Sequence, residues 1–150
     1  MSNDEWGTPP KLVDRFRREY GCAIDVCATQ ENAKLSRFYT QEVNGLLQPW
    51  DRPVWCNPPY SNITPWVQRA AQRKQTCVFL VPLSTSEKWW REWVQPFADI
   101  VYLPKRIKFV GADCVFNKPQ AIVIYPGPRV RVEPFFTLLD LTPEERGLRT

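Results

Sequence analysis

Apolar runs alternate with amphipathic helical patterns along most of the chain. Runs in which apolar residues follow one another without polar alternation predict strands that are covered on both faces. Such strands are predicted at residues 22–28, 54–56, 76–81, 99–103 and 121–125. Apolar residues at spacings of three and four predict helices at residues 9–20, 63–71 and 84–97. Residues 129–131 and 135–141 are predicted to add a hairpin arm or a last strand.

Helices and strands in this order predict an α/β protein with three layers, in which helices cover both faces of a mainly parallel sheet. The 150 residues contain no linker or repeat, so we expect a single domain over residues 1–150. No apolar run approaches the length that crosses a membrane, and the acidic, polar start of the chain lacks the apolar stretch of a secretory signal. We therefore expect a cytoplasmic protein.

Composition removes several classes of function. The chain has no histidine, which excludes Ser-His-Asp and Cys-His catalysis and the histidine-dependent zinc proteases and deaminases. Its five cysteines form no C-x-x-C pair and three lie in apolar runs, so neither a zinc site nor a disulfide framework is expected. The net charge of +4 permits nucleic-acid binding without requiring it.

A stiff loop, Asn57-Pro58-Pro59-Tyr60, follows the predicted strand at 54–56. Each proline restricts the backbone and removes an N–H donor, so this loop is rich in acceptors. The side-chain oxygen of Asn57 and the carbonyl of Pro58 can each accept one N–H of a planar amine, and Tyr60 offers a flat face. Adenine suits such a site, because the two hydrogen bonds leave the nitrogen lone pair available to attack an electrophile. The alternative is a stiff surface turn.

The tetrapeptide resembles the motif of amino-group methyltransferases that use S-adenosylmethionine, in which Asn or Asp precedes Pro-Pro and an aromatic residue. Three more segments are similar to the short phage and prophage DNA N6-adenine methyltransferases of the Dam type. They are residues 5–10, residues 24–29 with 32–34, and residues 45–47 before Trp50. The resemblance extends from Trp6 to Trp66, and more weakly to Tyr125. It implies a Rossmann-like methyltransferase fold and methylation of adenine N6 in DNA.

The resemblance also implies S-adenosylmethionine as the cofactor and residues 57–60 as catalytic. The residues expected to bind the cofactor are Trp6, Thr8, Pro9, Asp25, Cys27 and Asn44. Asp25 interrupts an apolar run, where a carboxylate needs polar partners, and a helix or loop cap is its alternative role. The family often has an acidic residue at the position of Asn44. Because no G-x-G follows the first strand, the methionine end of the cofactor must be held in another way, for which Trp6, Thr8 and Pro9 are candidates.

Double-stranded DNA is the expected partner, with GATC as the first expected site, and neither a metal nor a membrane is expected. Lys105, Arg106 and Lys108 follow the strand at 99–103, at the same sheet edge as the tetrapeptide, and are predicted to contact phosphates. A solvated loop, or an internal ion pair of Arg106, is the alternative. A second basic group lies on the predicted outer face of the helix at 63–71: Arg69, Arg73 and Lys74. The oligomeric state is open and a monomer is possible.

Other functions remain compatible with the sequence. The same motif serves enzymes that methylate an RNA adenine or a protein glutamine, although the chain carries no RNA-binding module and is only mildly basic. A non-catalytic DNA-binding module of the same fold is a rival from a different class, because the glycines expected after the first strand are missing. Binding of S-adenosylmethionine separates the enzymes from that module. For a phage-encoded enzyme, the site of action is the host cytoplasm and self-protection is a plausible role.

Overall fold

The computed structural model describes residues 10–73, 75–103, 119–126 and 130–131. The helical elements are α1 (Pro10–Tyr20), a 3-10 turn (Gly45–Leu47), a second 3-10 turn (Tyr60–Asn62), α2 (Thr64–Ala71) and a π-helical segment (Trp90–Val94). The strands are β1 (Ile24–Asp25), β2 (Arg37–Phe38), β3 (Val54–Cys56), β4 (Cys77–Pro82), β5 (Asp99–Tyr102), β6 (Gln120–Tyr125) and β7 (Val130–Arg131).

Within the described residues the strands form one mixed sheet, in the order β2-β1-β3-β4-β6-β5-β7. Strand β6 is antiparallel to both of its neighbours, and the other neighbouring pairs are parallel. Strand β2 lies on one side of β1, whereas β3 and then β4 lie on the other side of β1. The direction in which successive strands are added to the sheet therefore reverses between β1 and β3. In open α/β sheets, ligands bind at the carboxyl ends of the strands at such a reversal. The predicted α/β class with a mainly parallel sheet is confirmed.

Apolar side chains cover both faces of the sheet. In β3 the side chains alternate between the two faces of the sheet. Val54 and Cys56 belong to one core cluster, and Trp55 belongs to the other. The first cluster includes Trp66 of α2, and the second includes Phe16 of α1. The two helices therefore lie on opposite faces of the sheet, which gives the three layers that the sequence predicts.

The first strand is shorter than its predicted extent. Gly21 ends α1 as predicted, with a φ of 70° that suits glycine. Strand β1 then covers only Ile24–Asp25, whereas the apolar run predicts residues 22–28. The carboxylate of Asp25 accepts the backbone N–H of Cys27 at 3.4 Å. This local bond occupies the N–H of Cys27, which is therefore not available for pairing with a neighbouring strand.

A regular helix is predicted at 84–97, and the structure has a π-helical segment within that range. Gln95 donates its backbone N–H to the carbonyl of Trp90, five residues earlier. The hydroxyl of Tyr125 donates to the carbonyl of Trp93 at 2.6 Å, so a side chain from β6 uses a helical acceptor. The wider turn of a π-helix accommodates this hydrogen bond from outside the helix. The prediction of one regular helix is therefore wrong here, because a residue distant in sequence alters the helical hydrogen bonds.

The described cysteines are free thiols. Cys22, Cys56 and Cys77 are buried and Cys27 is half-buried, while Cys114 lies outside the described residues. Burial raises the pKa of the Cys22 and Cys77 thiols to about 12, so both remain protonated. Over the described ranges, no three acidic or cysteine side chains are grouped to hold a metal ion. None of the described helices has the length and apolar character needed to cross a membrane.

Candidate active site

The Asn-Pro-Pro-Tyr tetrapeptide lies directly after β3, at the carboxyl edge of the sheet. Pro58 is buried, and Pro59 has an extended backbone with φ −64° and ψ 120°. The carbonyl of Pro59 accepts the N–H of Asn62 at 3.0 Å, which closes the 3-10 turn that begins at Tyr60. The side-chain oxygen of Asn57 is shielded from solvent, and Tyr60 is half-buried against both core clusters. The tetrapeptide is thus packed between the sheet and the start of α2.

A cavity of about 460 Å³ opens beside the tetrapeptide, at the carboxyl ends of β1 and β3. These strand ends are adjacent, because Val26 donates its N–H to the carbonyl of Trp55 at 3.1 Å. Three of the residues predicted for the site line this cavity: Cys27, Asn44 and Pro59. Sequence reasoning did not assign the following lining residues to the site: Thr29, Asn32, Gly45, Leu46, Asn62 and Trp66.

The lining combines polar groups with flat apolar surfaces. Thr29 and Asn32 exchange hydrogen bonds, with the N–H of Thr29 donating to the side-chain oxygen of Asn32 at 2.7 Å and the N–H of Asn32 donating to Oγ1 of Thr29 at 3.0 Å. Leu46 and Trp66 supply apolar surface. Such a mixture suits a ligand with a flat ring and several polar substituents. The segment at 29–34 carries part of the family resemblance, which was the available sequence signal for Thr29 and Asn32.

Asp25 lies beneath the loop that forms one side of the cavity and is only 3% exposed. Its carboxylate accepts the backbone N–H groups of Cys27 at 3.4 Å and Lys34 at 3.1 Å. Burial raises the pKa of Asp25 to about 7, and the N–H groups of Lys34 and Cys27 oppose this rise. Asp25 is not among the described lining residues of the cavity. This geometry favours the loop-cap alternative, and direct contact with a cofactor stays a prediction.

Asn44 and Gly45 form the turn that the sequence predicts. Asn44 has a φ of 57° and its side-chain oxygen accepts the N–H of Leu46 at 3.1 Å, so it caps the first 3-10 turn. Gly45 is buried against β1, and a Cβ atom there would lie 1.9 Å from the carbonyl oxygen of Val26. Only glycine therefore permits this approach of the turn to the strand.

The structure corrects the predicted outer face of the helix at 63–71 for Arg69, which lies in α2, and for Arg73, which lies two residues after α2 ends. Arg69 and Arg73 are half-buried. Arg69 donates three hydrogen bonds to backbone carbonyls of residues 44–48, and Arg73 donates one to the carbonyl of Trp50 at 3.1 Å. The prediction is wrong for these two residues because the chain between β2 and β3 covers that side of the helix. Lys74 lies outside the described residues.

Other predicted site residues also lie outside the described residues: Trp6, Thr8, Pro9, Lys105, Arg106 and Lys108. Their assignments remain predictions. A second, more open hollow of about 680 Å³ lies beside α1, lined in part by Lys11, Arg17 and Lys34. None of the residues predicted for the site is among its described lining. The smaller cavity is the candidate site because Pro59 of the tetrapeptide lines it, whereas Asn57, Pro58 and Tyr60 are not among its described lining residues.

Comparison with known proteins gives one family and two phage relatives. The family model described as DNA N-6-adenine-methyltransferase (Dam) matches residues 1–124. A DNA N-6-adenine-methyltransferase of Haemophilus phage HP1 is 33% identical over 135 residues, covering 81% of this chain and 78% of that protein. A protein of the same name from Escherichia phage T1 is 32% identical over 106 residues, covering 67% of this chain and 44% of that protein.

The family match and the geometry concern the same part of the chain. The matched residues include the tetrapeptide, the lining of the cavity and the strands that carry both. The resemblance noted from the sequence motifs is therefore confirmed. This chain belongs to the DNA N-6-adenine-methyltransferase (Dam) family.

Proposed function

We propose that this protein transfers a methyl group from S-adenosylmethionine to N6 of adenine in duplex DNA. The main support for the proposal is the position of the tetrapeptide directly after β3, with Pro59 lining the cavity where the strand order reverses. The family and the names of both phage relatives support adenine as the methyl acceptor. The three layers and the cavity at the carboxyl edge support a Rossmann-like methyltransferase fold.

The cavity fits S-adenosylmethionine in size and chemistry. Its volume of about 460 Å³ lies in the range of small-molecule sites, and its lining combines apolar surface with amide and hydroxyl groups. When bound, S-adenosylmethionine supplies an electrophilic methyl group. Asn44 and Cys27 bind it from the lining, and Asp25 fixes the loop that carries Cys27. In this proposal Trp6, Thr8 and Pro9 complete the cofactor site.

The tetrapeptide positions the amine that is methylated. The side-chain oxygen of Asn57 and the carbonyl of Pro58 each accept an N–H of the adenine amino group, which directs the nitrogen lone pair toward the methyl group. The ring of Tyr60 stacks on the base, and Pro59 keeps the loop stiff. Orientation and hydrogen bonding supply the rate enhancement, so this mechanism requires no histidine.

Adenine N6 cannot be reached within a stacked duplex, so the target base must rotate out of the helix. The cost is about a few kcal/mol, which stacking on Tyr60 and the two hydrogen bonds partly offset. Lys105, Arg106 and Lys108 are proposed to hold the flanking phosphates. GATC is the first site to test, on the strength of the family resemblance.

Incubation with methyl-labelled S-adenosylmethionine and unmethylated duplex DNA, followed by nucleoside analysis, tests this function. We expect N6-methyladenine in a duplex containing GATC and much less in a matched duplex without it. Label in an RNA adenine or a protein glutamine instead of DNA would replace the proposed substrate. Tight DNA binding without S-adenosylmethionine binding would favour the non-catalytic module. Methylation of both duplexes to the same extent would remove GATC but keep the reaction.

A further inference from the structure

Residues 44–48 contribute to the lining of the cavity, and the hydrogen bonds within the segment join residues only two or three positions apart. Asn44, Gly45 and Leu46 belong to the lining. Within the segment, the side-chain oxygen of Asn44 accepts the N–H of Leu46, and the carbonyl of Asn44 accepts the N–H of Leu47 at 2.8 Å. The carbonyl of Gly45 accepts the N–H of Gln48 at 3.3 Å. Such a short 3-10 turn is a weak structure by itself. Contacts from elsewhere in the chain therefore help to fix its position.

Arg69 of α2 provides most of these contacts. Its guanidinium donates to the carbonyl oxygens of Gly45 at 3.1 Å, Leu46 at 2.5 Å and Gln48 at 2.6 Å. The same guanidinium lies 4.3 Å from the centre of the Trp50 ring, a distance suited to a cation–π contact. The indole N–H of Trp50 donates to the carbonyl of Gly45 at 2.9 Å. One side chain thus connects three successive parts of the segment with the core.

The helix that contains Arg69 also contributes to the lining of the cavity. Helix α2 begins two residues after the turn Tyr60–Asn62, and its Trp66 lines the cavity. Arg69 lies about one turn further along the same helix. The tetrapeptide and the 44–48 segment, which both contribute to the lining, are therefore both connected to α2.

We propose that Arg69 is a positioning residue for the cofactor, because it holds the 44–48 segment in the shape in which Asn44 and Leu46 bind S-adenosylmethionine. This inference rests on the proposed function of the cavity. Arginine suits the role because its planar guanidinium offers five N–H donors in fixed directions, whereas a lysine ammonium is a single compact charge. Arg69→Lys keeps the charge and removes the fork of donors.

The test measures binding of S-adenosylmethionine to the full chain without DNA, by calorimetry, for the parent, Arg69→Lys and Arg69→Gln. We expect affinity to fall about tenfold in both variants, because affinity decreases with the fraction of molecules whose site is formed. In turnover assays the KM for S-adenosylmethionine should rise while kcat at saturating cofactor stays within about twofold. Arg73→Lys is the matched control, because the guanidinium of Arg73 donates to the carbonyl of Trp50, outside residues 44–48. This variant should leave the affinity for S-adenosylmethionine unchanged.

Hydrogen exchange supplies a readout that needs neither cofactor nor activity. The amides of Leu46, Leu47 and Gln48 should exchange faster in Arg69→Lys than in the parent, while amides of β4 keep their protection. Lower thermal stability with unchanged affinity and unchanged exchange at 44–48 would overturn the positioning role. If the parent itself fails to bind S-adenosylmethionine, the proposed function fails. If the parent binds and both Arg69 variants bind equally well, only the inference about Arg69 fails.

Discussion

At the scale of single residues, substitution of Asn57 is the most direct test of the proposed chemistry. Asn57→Ala removes one of two acceptors that orient the amine in the transition state. We expect turnover to fall by about 10²-fold or more, with little change in affinity for S-adenosylmethionine. Single-turnover methylation and calorimetry on the same preparation give the two values. Turnover near that of the parent would exclude this catalytic assignment.

Asp25 gives a prediction about pH at the same scale. Its pKa is about 7 in the folded protein, above the ordinary value of 3.8. Between these values the folded protein holds a proton that the unfolded chain has lost, so this group lowers the free energy of unfolding as pH rises. Asp25→Asn removes that dependence. The unfolding free energy of Asp25→Asn minus that of the parent should therefore rise from about pH 4 to pH 7 and then level off.

Denaturant unfolding of both proteins at several pH values measures this difference. Asp14 provides the control, because a hydrogen bond from Arg17 holds the pKa of Asp14 below its ordinary value. Asp14 is therefore ionised in both states above about pH 5, and Asp14→Asn should show no trend from there to pH 7. A flat difference for Asp25→Asn across the same range would contradict a neutral, buried Asp25.

At the scale of elements, the contact between the first 3-10 turn and β1 determines the shape of the cavity. Gly45→Ala places a Cβ atom 1.9 Å from the carbonyl oxygen of Val26, so the backbone must move. We expect a loss of about 1–3 kcal/mol in the free energy of unfolding, together with weaker binding of S-adenosylmethionine. Denaturant unfolding and calorimetry measure the two effects.

Gly21→Ala is the matched control for the turn. Gly21 has a φ of 70°, and a Cβ atom there would meet nothing within 4 Å. This variant should lose about 1–2 kcal/mol through backbone strain alone and bind S-adenosylmethionine as the parent does. Equal affinities for Gly45→Ala and Gly21→Ala would show that the turn does not shape the cofactor site.

At the scale of the whole molecule, the proposed function requires basic side chains that contact DNA phosphates. Lys105 and Lys108 are the first candidates, because Arg69 and Arg73 are half-buried and donate hydrogen bonds to backbone carbonyls. Replacing both lysines with alanine should weaken binding similarly on every DNA sequence. It should also make the dependence of affinity on salt shallower, by about one in slope for each lost phosphate contact. Parallel salt titrations with unchanged affinity would leave these lysines as ordinary surface.

The sequence by itself determined those helices and strands whose pattern of apolar residues lies within one short stretch of the chain. Continuous apolar runs located β4 and β6 to within one residue, and apolar positions at helical spacing located α2. The tetrapeptide and its place after β3 were also evident, because prolines and a short strand act locally. These features depend on neighbouring residues, so they can be predicted from the chain alone.

Only the tertiary structure decided which distant groups meet. It placed the antiparallel β6 between β4 and β5, and it turned part of a predicted regular helix into a π-helical segment. It also placed Arg69 on carbonyls more than 20 residues away and satisfied Asp25 with N–H groups of its own loop. Periodicity carries no information about such contacts, because burial and the partners of a polar group depend on packing between elements that are far apart in sequence.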